Sequence, residues 1–191
     1  MKTIHITAAE MAPRIARFDD LKPLAAQGNP DIPLAAADLI YARKLLSVIG
    51  LGGGVVTPVN ANAPITGAGG MTMVVASCPP GQGPSLHSHR ATFETFTVLR
   101  GRFEVTWNDR GQDRVELGEL DTISVPPGVA RAFRNIGDSE GLLQVIITGG
   151  VHDMNDIAFA PLVAERIKAI TPEALLAFEK AGMKFDAAME T

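Results

Sequence analysis

Two histidines and one glutamate lie close together in the stretch GQGPSLHSHRATFETFTVLRG, residues 81–101, and their types suit a metal site. His87 and His89 are two positions apart, so on a β-strand both side chains point to the same face. Glu94 shares a strand face with apolar residues, and a carboxylate that faces a core is costly unless it is paired or binds a metal. Two imidazoles and one carboxylate on one side of an ion form the facial arrangement of non-haem iron oxygenases, which also suits manganese, nickel, cobalt or zinc. By spacing alone, a surface pair or a core pair of histidines with satisfied hydrogen bonds fits as well.

Length and charge favour a single domain and argue against nucleic-acid binding. The chain has 191 residues, enough for one sizeable core, and a formal net charge of -4 without a Lys/Arg run argues against a nucleic-acid surface. No apolar stretch reaches the length of a membrane span, and the N-terminus lacks the apolar centre of a signal peptide. The one cysteine, Cys78, cannot form an internal disulfide and is interpreted as a strand residue. We therefore expect a cytoplasmic protein without nucleic-acid or membrane partners.

The middle of the chain consists of short β-type segments separated by turn signals. The segment FETFTVLRG predicts one strand, and residues 108–111, between two alternating segments, predict a hairpin. Short strands at nearly even spacing favour a β-sandwich or barrel. We divide the chain into an N-terminal extension at 1–64 that packs on the barrel, a barrel core at 65–150 and a C-terminal helical extension at 151–191, which together form one domain.

The two flanking segments carry weaker signals. The run LIYARKLLSVIGLGGGVV fits helical spacing at first but also a strand over residues 45–56, and both interpretations stay open. Downstream, a helix is predicted over residues 156–169. A second helix is predicted to begin at Thr171-Pro172-Glu173 and to end at Gly182, since threonine caps a helix N-terminus, proline suits its first position and glycine follows its last turn.

The stretch 81–101 resembles the first sequence motif of the cupin superfamily at each fixed position of that motif. The matching residues are Gly81, His87, His89, Glu94 and Gly101. The second cupin motif is matched in part by Gly118, Pro126, Gly128 and Asn135. The chain is therefore similar to small single-domain cupins of bacterial type over residues 81–135, and its strand pattern extends the likeness to about residues 65–150.

This resemblance implies an all-β fold, a double-stranded β-helix or jelly-roll barrel with short helical N- and C-terminal extensions and with the site inside the barrel. It also implies a homodimer. His87, His89 and Glu94 correspond to three of the four metal ligands of the family, so the implied cofactor is a divalent ion of iron, manganese, nickel, cobalt or zinc. The fourth ligand of the family is a histidine, and Arg131 stands in its place here.

Arg131 is the main departure from the family pattern. A guanidinium has no free lone pair for a metal, and its charge about 5 Å from a dication costs roughly 6 to 7 kcal/mol at an effective dielectric constant of about 20. In a first interpretation, Arg131 clamps an anionic substrate beside a bound metal. In a second, it pairs with Glu94 and the pocket binds a ligand without an ion. In a third, His152 supplies the missing imidazole, although an exposed loop position fits His152 as well.

The preferred interpretation is a metal-dependent enzyme that acts on a small-molecule substrate, a dioxygenase-type oxidoreductase in which Glu94 and Arg131 are the catalytic residues. Arg131, Phe96, Phe133 and Met73 are the candidate substrate-binding residues, and the two phenylalanines and the methionine also fit core packing. The alternative is a metal-independent cupin that binds a small ligand, as a sensor, a carrier or a sugar isomerase or epimerase. In that alternative Arg131 holds an anionic ligand.

Overall fold

The protein is described by a computed structural model over residues 1–52, 57–67, 69–149 and 154–187. Its strands are β1 (Lys44–Gly50), β2 (Ile65–Thr66), β3 (Met71–Cys78), β4 (His87–His89), β5 (Phe93–Arg100), β6 (Phe103–Trp107), β7 (Asp113–Leu117), β8 (Thr122–Val125), β9 (Ala130–Asn135), β10 (Gly141–Thr148) and β11 (Ile157–Phe159). Its α-helices are α1 (Ala8–Met11), α2 (Leu34–Ile40), α3 (Pro58–Asn62), α4 (Pro161–Ile170) and α5 (Pro172–Lys180). Short 3-10 turns cover Ala12–Arg14, Phe18–Asp20, Ala25–Gly28 and Met154–Asp156. None of the helices in these ranges is long and apolar enough to cross a membrane.

The strands form two sheets that face each other across a common core. One sheet has six strands in the order β2-β1-β3-β10-β5-β8, and the other has five in the order β11-β4-β9-β6-β7. Within the described ranges, β1 and β2 pair in parallel and the other paired strands are antiparallel. The predicted all-β barrel of jelly-roll type is therefore confirmed. The predicted hairpin at 108–111 joins β6 to β7.

The main core lies between the two sheets and follows from strand alternation. On β5, Glu94, Phe96 and Val98 are buried while Phe93 and Leu99 are exposed, as the sequence pattern predicts. The remaining members of this core are Ala42, which precedes β1, and residues from both sheets, namely Val74, Ala76, Cys78, Phe103, Val105, Leu117, Val125, Phe133, Leu143 and Val145. Glu94 therefore points into the interior that these apolar side chains fill.

The segment before residue 65 contributes a strand to the barrel in addition to packing on it. The run that fits both a helix and a strand contains one of each, because α2 ends at Ile40 and β1 begins at Lys44. β1 pairs with β3 along most of its length, which gives the backbone polar groups on that side of β3 their partners. Ala16 and Leu21, from the N-terminal segment, pack against Val75 on the outer face of this sheet.

The helix predicted at residues 156–169 begins later than expected. β11 pairs with β4 at the edge of the five-stranded sheet, and α4 begins only at Pro161. Proline suits this first helical position for two reasons. Its fixed φ is compatible with a helix, and a backbone N–H at this position would have no hydrogen-bond partner within the helix, so nothing is lost by its absence. α5 follows Thr171 as predicted, and Gly182 lies just beyond it with a φ of 88°.

Two glycines that flank the histidines hold backbone conformations that other residues rarely adopt. Gly81 has a φ of 76° and Gly101 a φ of 91°, both in the left-handed region. The backbone N–H of Gly81 donates to the carbonyl of Asn135 at 2.8 Å. The buried amide of Asn135 donates in turn to the carbonyl of Cys78 at 2.8 Å. These contacts tie the loop before β4 to the ends of β3 and β9.

Candidate metal centre

The three candidate ligands come from both sheets and meet inside the barrel. β4 carries His87 and His89, which face the same side because they are two positions apart on an extended strand. β5, in the opposite sheet, directs Glu94 inward. Nε2 of His87 lies 3.4 Å and Nε2 of His89 lies 3.5 Å from Oε2 of Glu94. The structure thus places the three side chains together, with their ligand atoms within 4.8 Å of one another.

Both imidazole rings are oriented by a hydrogen bond at Nδ1. In His87 this nitrogen lies 2.9 Å from the carbonyl of Ser85, which only accepts, so the proton is assigned to Nδ1. In His89 it lies 3.0 Å from Oδ2 of Asp156, a carboxylate that accepts in the same way. When each ring is neutral, its other nitrogen, Nε2, keeps a lone pair. The Nε2 lone pairs of His87 and His89 are both on the side of Glu94. Both histidines are therefore held in a tautomer that suits a metal ligand.

The donor set fits a divalent transition-metal ion. Two atoms that each lie about 2.1 Å from one ion are about 3.0 to 3.4 Å apart, close to the separations of the two histidine nitrogens from the carboxylate. Oε2 of Glu94 is buried and makes no hydrogen bond within the described ranges, and a buried acceptor without a partner is unfavourable. An ion held by His87, His89 and Glu94 gives that oxygen a partner. Imidazole and carboxylate suit iron, manganese, nickel, cobalt and zinc, so the donors leave the choice of metal open.

Glu94 is held as a carboxylate in spite of its burial. The residue is only 5% exposed, and burial by itself raises the pKa of a carboxyl group. In the metal-free protein, positive charge on His89 and His87 and on the guanidinium of Arg131 outweighs this effect and lowers the pKa of Glu94 to about 2. The group therefore stays ionised at neutral pH, in the form that binds a metal.

The low pKa of Glu94 predicts a loss of stability in acid. In the unfolded chain the carboxyl titrates near 4.5 and in the folded protein near 2, so its contribution to the free energy of unfolding is complete above pH 4.5. That contribution is lost as the pH falls from about 4.5 to about 2. We expect Glu94→Gln to flatten this part of the pH dependence, measured by urea unfolding of the metal-free protein. The variant Glu116→Gln, at an exposed glutamate, is the control and should show the same dependence of the free energy of unfolding on pH as the natural protein. If Glu94→Gln also shows that dependence, the assignment is contradicted.

Asp156 is a component of the site that the sequence reasoning missed. It lies 67 positions after His89 along the chain, yet its Oδ2 accepts from the Nδ1 of that histidine and from the hydroxyl of Thr92. Its Oδ1 accepts from the backbone N–H of Ala91 at 2.8 Å. Burial raises the pKa of Asp156, but the hydrogen bonds from His89 and Thr92 outweigh it and hold the pKa well below the usual range. Asp156 therefore positions His89 and fixes its tautomer.

Loss of the Asp156 carboxylate is expected to weaken metal binding through His89. Asp156→Ala should raise the Kd for zinc or nickel by about 10- to 100-fold, because outer partners of metal-bound histidines have effects of that size. Asp156→Asn keeps an acceptor for Nδ1 and should recover part of the loss. The Kd values are measured by titration against a competing chelator. The exposed Asp138, in the variant Asp138→Ala, is the control, and equal Kd values for the Asp138 and Asp156 variants refute the positioning role.

Arg131 contacts Glu94 and is enclosed by the protein. It is 0% exposed, and its Nε lies 3.5 Å from Oε2 of Glu94. Its Nη2 donates to the carbonyl of Pro126 at 3.3 Å, whereas Nε and Nη1 make no hydrogen bond within the described ranges. Burial lowers the pKa of the guanidinium, and the charge of Glu94 opposes this effect. Arg131 therefore compensates the buried carboxylate at the position where the family pattern has a histidine.

A cavity of about 180 Å³ adjoins the three candidate ligands, all of which line it. Of the predicted substrate-binding residues, Phe133 lines this cavity. Phe96 is fully buried and is not a lining residue. Its ring packs against that of Phe133, with the two ring centroids 5.2 Å apart. Met73 packs on the outer face of β3, because alternation on that strand turns Thr72 and Val74 toward the cavity. Arg131 is not a lining residue either.

Two further sequence predictions concern a histidine and a cysteine. His152, proposed as an extra ligand, lies outside the described residues. Cys78 is fully buried in the main core, and burial raises the pKa of its thiol to about 12. The thiol is therefore protonated at neutral pH, in keeping with its interpretation as a packed strand residue.

One protein-family model and several solved structures match parts of this chain. The profile of the cupin domain matches residues 74–147, which include His87, His89, Glu94 and Arg131. The cupin domain of Schizosaccharomyces pombe Cnp3 is 21% identical over 43% of this chain and 58% of that chain, with a TM-score of 0.39. An uncharacterized conserved protein with a double-stranded beta-helix domain from Klebsiella pneumoniae is 22% identical over 47% of this chain and 73% of that one, with a TM-score of 0.42.

A predicted oxalate decarboxylase from Thermotoga maritima is 22% identical over 41% of this chain and 65% of that one, with a TM-score of 0.38. This chain thus spans less than two thirds of the S. pombe and T. maritima chains. None of the curated proteins matches the sequence.

Proposed function

Since the chain is a member of the cupin superfamily through residues 74–147, we propose that it is a metal-dependent oxidoreductase of the dioxygenase type that acts on a small molecule. The observation that carries this proposal is the convergence of two histidine nitrogens and one carboxylate oxygen beside a cavity. Because His87, His89 and Glu94 approach from the barrel wall, the cavity side is left for a substrate and O₂.

The residues of the chain prepare the site in three ways. Ser85 and Asp156 accept the Nδ1 protons of the histidines, so both Nε2 lone pairs stay directed at one point. Glu94 supplies a negative charge that offsets part of the charge of a cation. The apolar cavity walls keep water away from the substrate and orient it by packing. A bound ion supplies Lewis-acid chemistry and, where it is redox-active, electron transfer.

Oxygen uptake tests the proposed activity. The protein is reconstituted anaerobically with ferrous iron, and O₂ consumption is followed with a panel of phenol and enol substrates. We expect uptake that depends on substrate, with both oxygen atoms of ¹⁸O₂ found in the product. The zinc-loaded protein and Glu94→Ala are the controls, and both should be inactive. Binding of iron without uptake for any member of the panel would refute the dioxygenase assignment.

The second candidate function is binding of a small ligand without a metal. It is favoured by the contact of 3.5 Å between Nε of Arg131 and Oε2 of Glu94, which neutralises the carboxylate without an ion. In that case Arg131 takes the place of the metal. Equilibrium dialysis of the purified protein against iron, manganese, nickel, cobalt and zinc distinguishes the two candidates. Bound metal at one equivalent supports the enzyme, whereas no uptake of any of the five ions supports the metal-free pocket.

A further inference from the structure

We infer that the substrate is an uncharged, mainly apolar molecule about the size of a single ring, with one hydroxyl or carbonyl oxygen that faces His87, His89 and Glu94. This inference rests on the proposed function, because it places the reacting oxygen beside the candidate metal ligands. It specifies the substrate class, which the donor set by itself does not define. It also differs from the sequence-based expectation of an anionic ligand held by Arg131.

Apart from the wall that holds His87, His89, Glu94 and Asp156, the part of the cavity formed by described residues is mainly apolar. The barrel, the N-terminal segment and the C-terminal segment all contribute. Representative side chains are Val74, Phe133 and Val145 from the barrel, Leu24 and Leu51 from the N-terminal segment and Met183 from the C-terminal segment. A substrate with several polar groups would lose hydrogen bonds to water here without replacing them. The walls therefore select for a hydrocarbon body.

The cavity offers no cationic side chain to an anion. Among the described residues, those that line it include neither lysine nor arginine. The segments outside the described residues are 53–56, 68, 150–153 and 188–191, and none of them contains a lysine or an arginine. Arg131, the nearest candidate from the sequence, is 0% exposed and lies against Glu94.

The acidic side chains that line the cavity lie on one wall. Glu94 and Asp156 are carboxylates, and both belong to the wall that holds the histidines. An anionic substrate would have to give up its hydration and approach these groups without a compensating arginine or lysine. An uncharged substrate meets no such penalty. Without a bound ion, this distribution of charge favours a neutral molecule over a carboxylate of the same shape. With an ion bound, the apolar walls still disfavour charge on the body of the substrate.

The cavity volume suits a substrate of about one ring. The cavity volume is about 180 Å³, and an apolar cavity of about 150 Å³ in another protein binds benzene. A single ring with one short substituent therefore fits. Oε2 of Glu94, which makes no hydrogen bond within the described ranges, is placed to accept from a hydroxyl of such a molecule in the metal-free protein.

A matched pair of probes tests the inference. Benzyl alcohol and benzoate share one ring and differ in charge, and each is titrated into the metal-free protein while methyl chemical shifts are followed by NMR. We expect benzyl alcohol to bind with a Kd on the order of 1 mM or lower. Benzoate should bind at least about tenfold more weakly. Equal or tighter binding of benzoate overturns the inference, and so does the absence of binding by both probes.

Two neighbouring valines provide matched variants that locate the bound probe. Val74 lines the cavity, whereas Val75 points to the outer face of the same strand, and both are buried. Val74→Phe fills the cavity and should weaken benzyl alcohol binding at least about tenfold. Val74→Leu, a smaller change, should weaken it less and serves if the larger variant does not fold. Val75→Phe should leave the Kd unchanged, and an effect in Val75→Phe without one in the Val74 variants overturns the assignment of the cavity.

Failure of this inference is distinguishable from failure of the proposed function. The probe titration uses metal-free protein, and metal content is measured separately. Tighter binding of benzoate in a protein that also binds one equivalent of metal refutes the substrate class alone. Binding of benzyl alcohol to a protein that takes up no metal refutes the metal-dependent activity and supports the neutral-ligand cavity.

Discussion

Replacement of both His87 and His89 by alanine will abolish stoichiometric metal binding, with a loss of affinity greater than about a hundredfold. Removal of a group that only orients a metal-bound histidine already weakens binding by about 10- to 100-fold, and this variant removes two of three ligands. Glu94 alone is left to hold the ion. Both nitrogens lie within 3.5 Å of its Oε2, so no other donor set is needed to explain a metal at this point.

Elemental analysis of the purified, untagged protein provides the measurement, followed by titration of the metal-free form with zinc, nickel and ferrous iron. His5, an exposed histidine near the N-terminus, supplies the control variant His5→Ala, which should retain the metal content of the natural protein. Retention of one equivalent of metal by the His87/His89 variant would place the metal elsewhere on the chain. Loss of metal in all three proteins would instead indicate a metal-free cupin.

Arg131→Met will destabilise the metal-free protein by about 3 to 5 kcal/mol, since it removes one partner of a buried charge pair and leaves the other. The partner is Glu94, whose Oε2 lies 3.5 Å from the arginine Nε. The free energy of unfolding is measured in urea at neutral pH. Arg102→Met is the matched control, because Arg102 pairs with Glu116 at the surface, where both side chains are more than half exposed. That control should change the free energy of unfolding by less than about 1 kcal/mol.

The same position gives an opposite effect on metal affinity. Removal of the positive charge in Arg131→Met should tighten metal binding, and Arg131→His should tighten it further by adding an imidazole, with a total gain of at least about tenfold. A bound ion then restores the stability that the metal-free variant loses. Unchanged affinity in both variants, together with unchanged stability of metal-free Arg131→Met, would show that Arg131 does not act on Glu94.

Local patterns in the sequence identify the three candidate ligands and the sheet-forming part of the chain. Alternation with a period of two places His87 with His89 and turns Glu94 to the side of the core, and these relations depend only on an extended backbone. The same rule predicts the buried face of β5, and turn residues predict the hairpin between β6 and β7. The resemblance to the cupin motif predicts the barrel. The barrel in turn explains why β4 and β5, which lie in different sheets, bring their side chains together.

Local patterns fail where both faces of a strand are apolar. On β3, Thr72 and Val74 face the cavity while Met73 and Val75 are covered by the N-terminal segment. The sequence MTMVVAS therefore contains no polar face that distinguishes inside from outside, and for Met73 both cavity lining and packing fit the sequence for that reason. The same covering segment supplies β1, which the sequence pattern left undecided between a helix and a strand.

The remaining features depend on contacts between residues far apart in the chain, which no local period encodes. Asp156 reaches His89 across 67 positions because β11 pairs with β4, and the burial of Arg131 against Glu94 depends on β9 lying beside β4 and opposite β5. The cavity is likewise formed by the barrel and both terminal segments together. The sequence thus determines which residues are available for metal binding. The tertiary structure decides which groups orient the candidate ligands and which charged side chain faces them. It also makes the adjoining cavity mainly apolar. All three features depend on the packing of segments that are far apart in the chain.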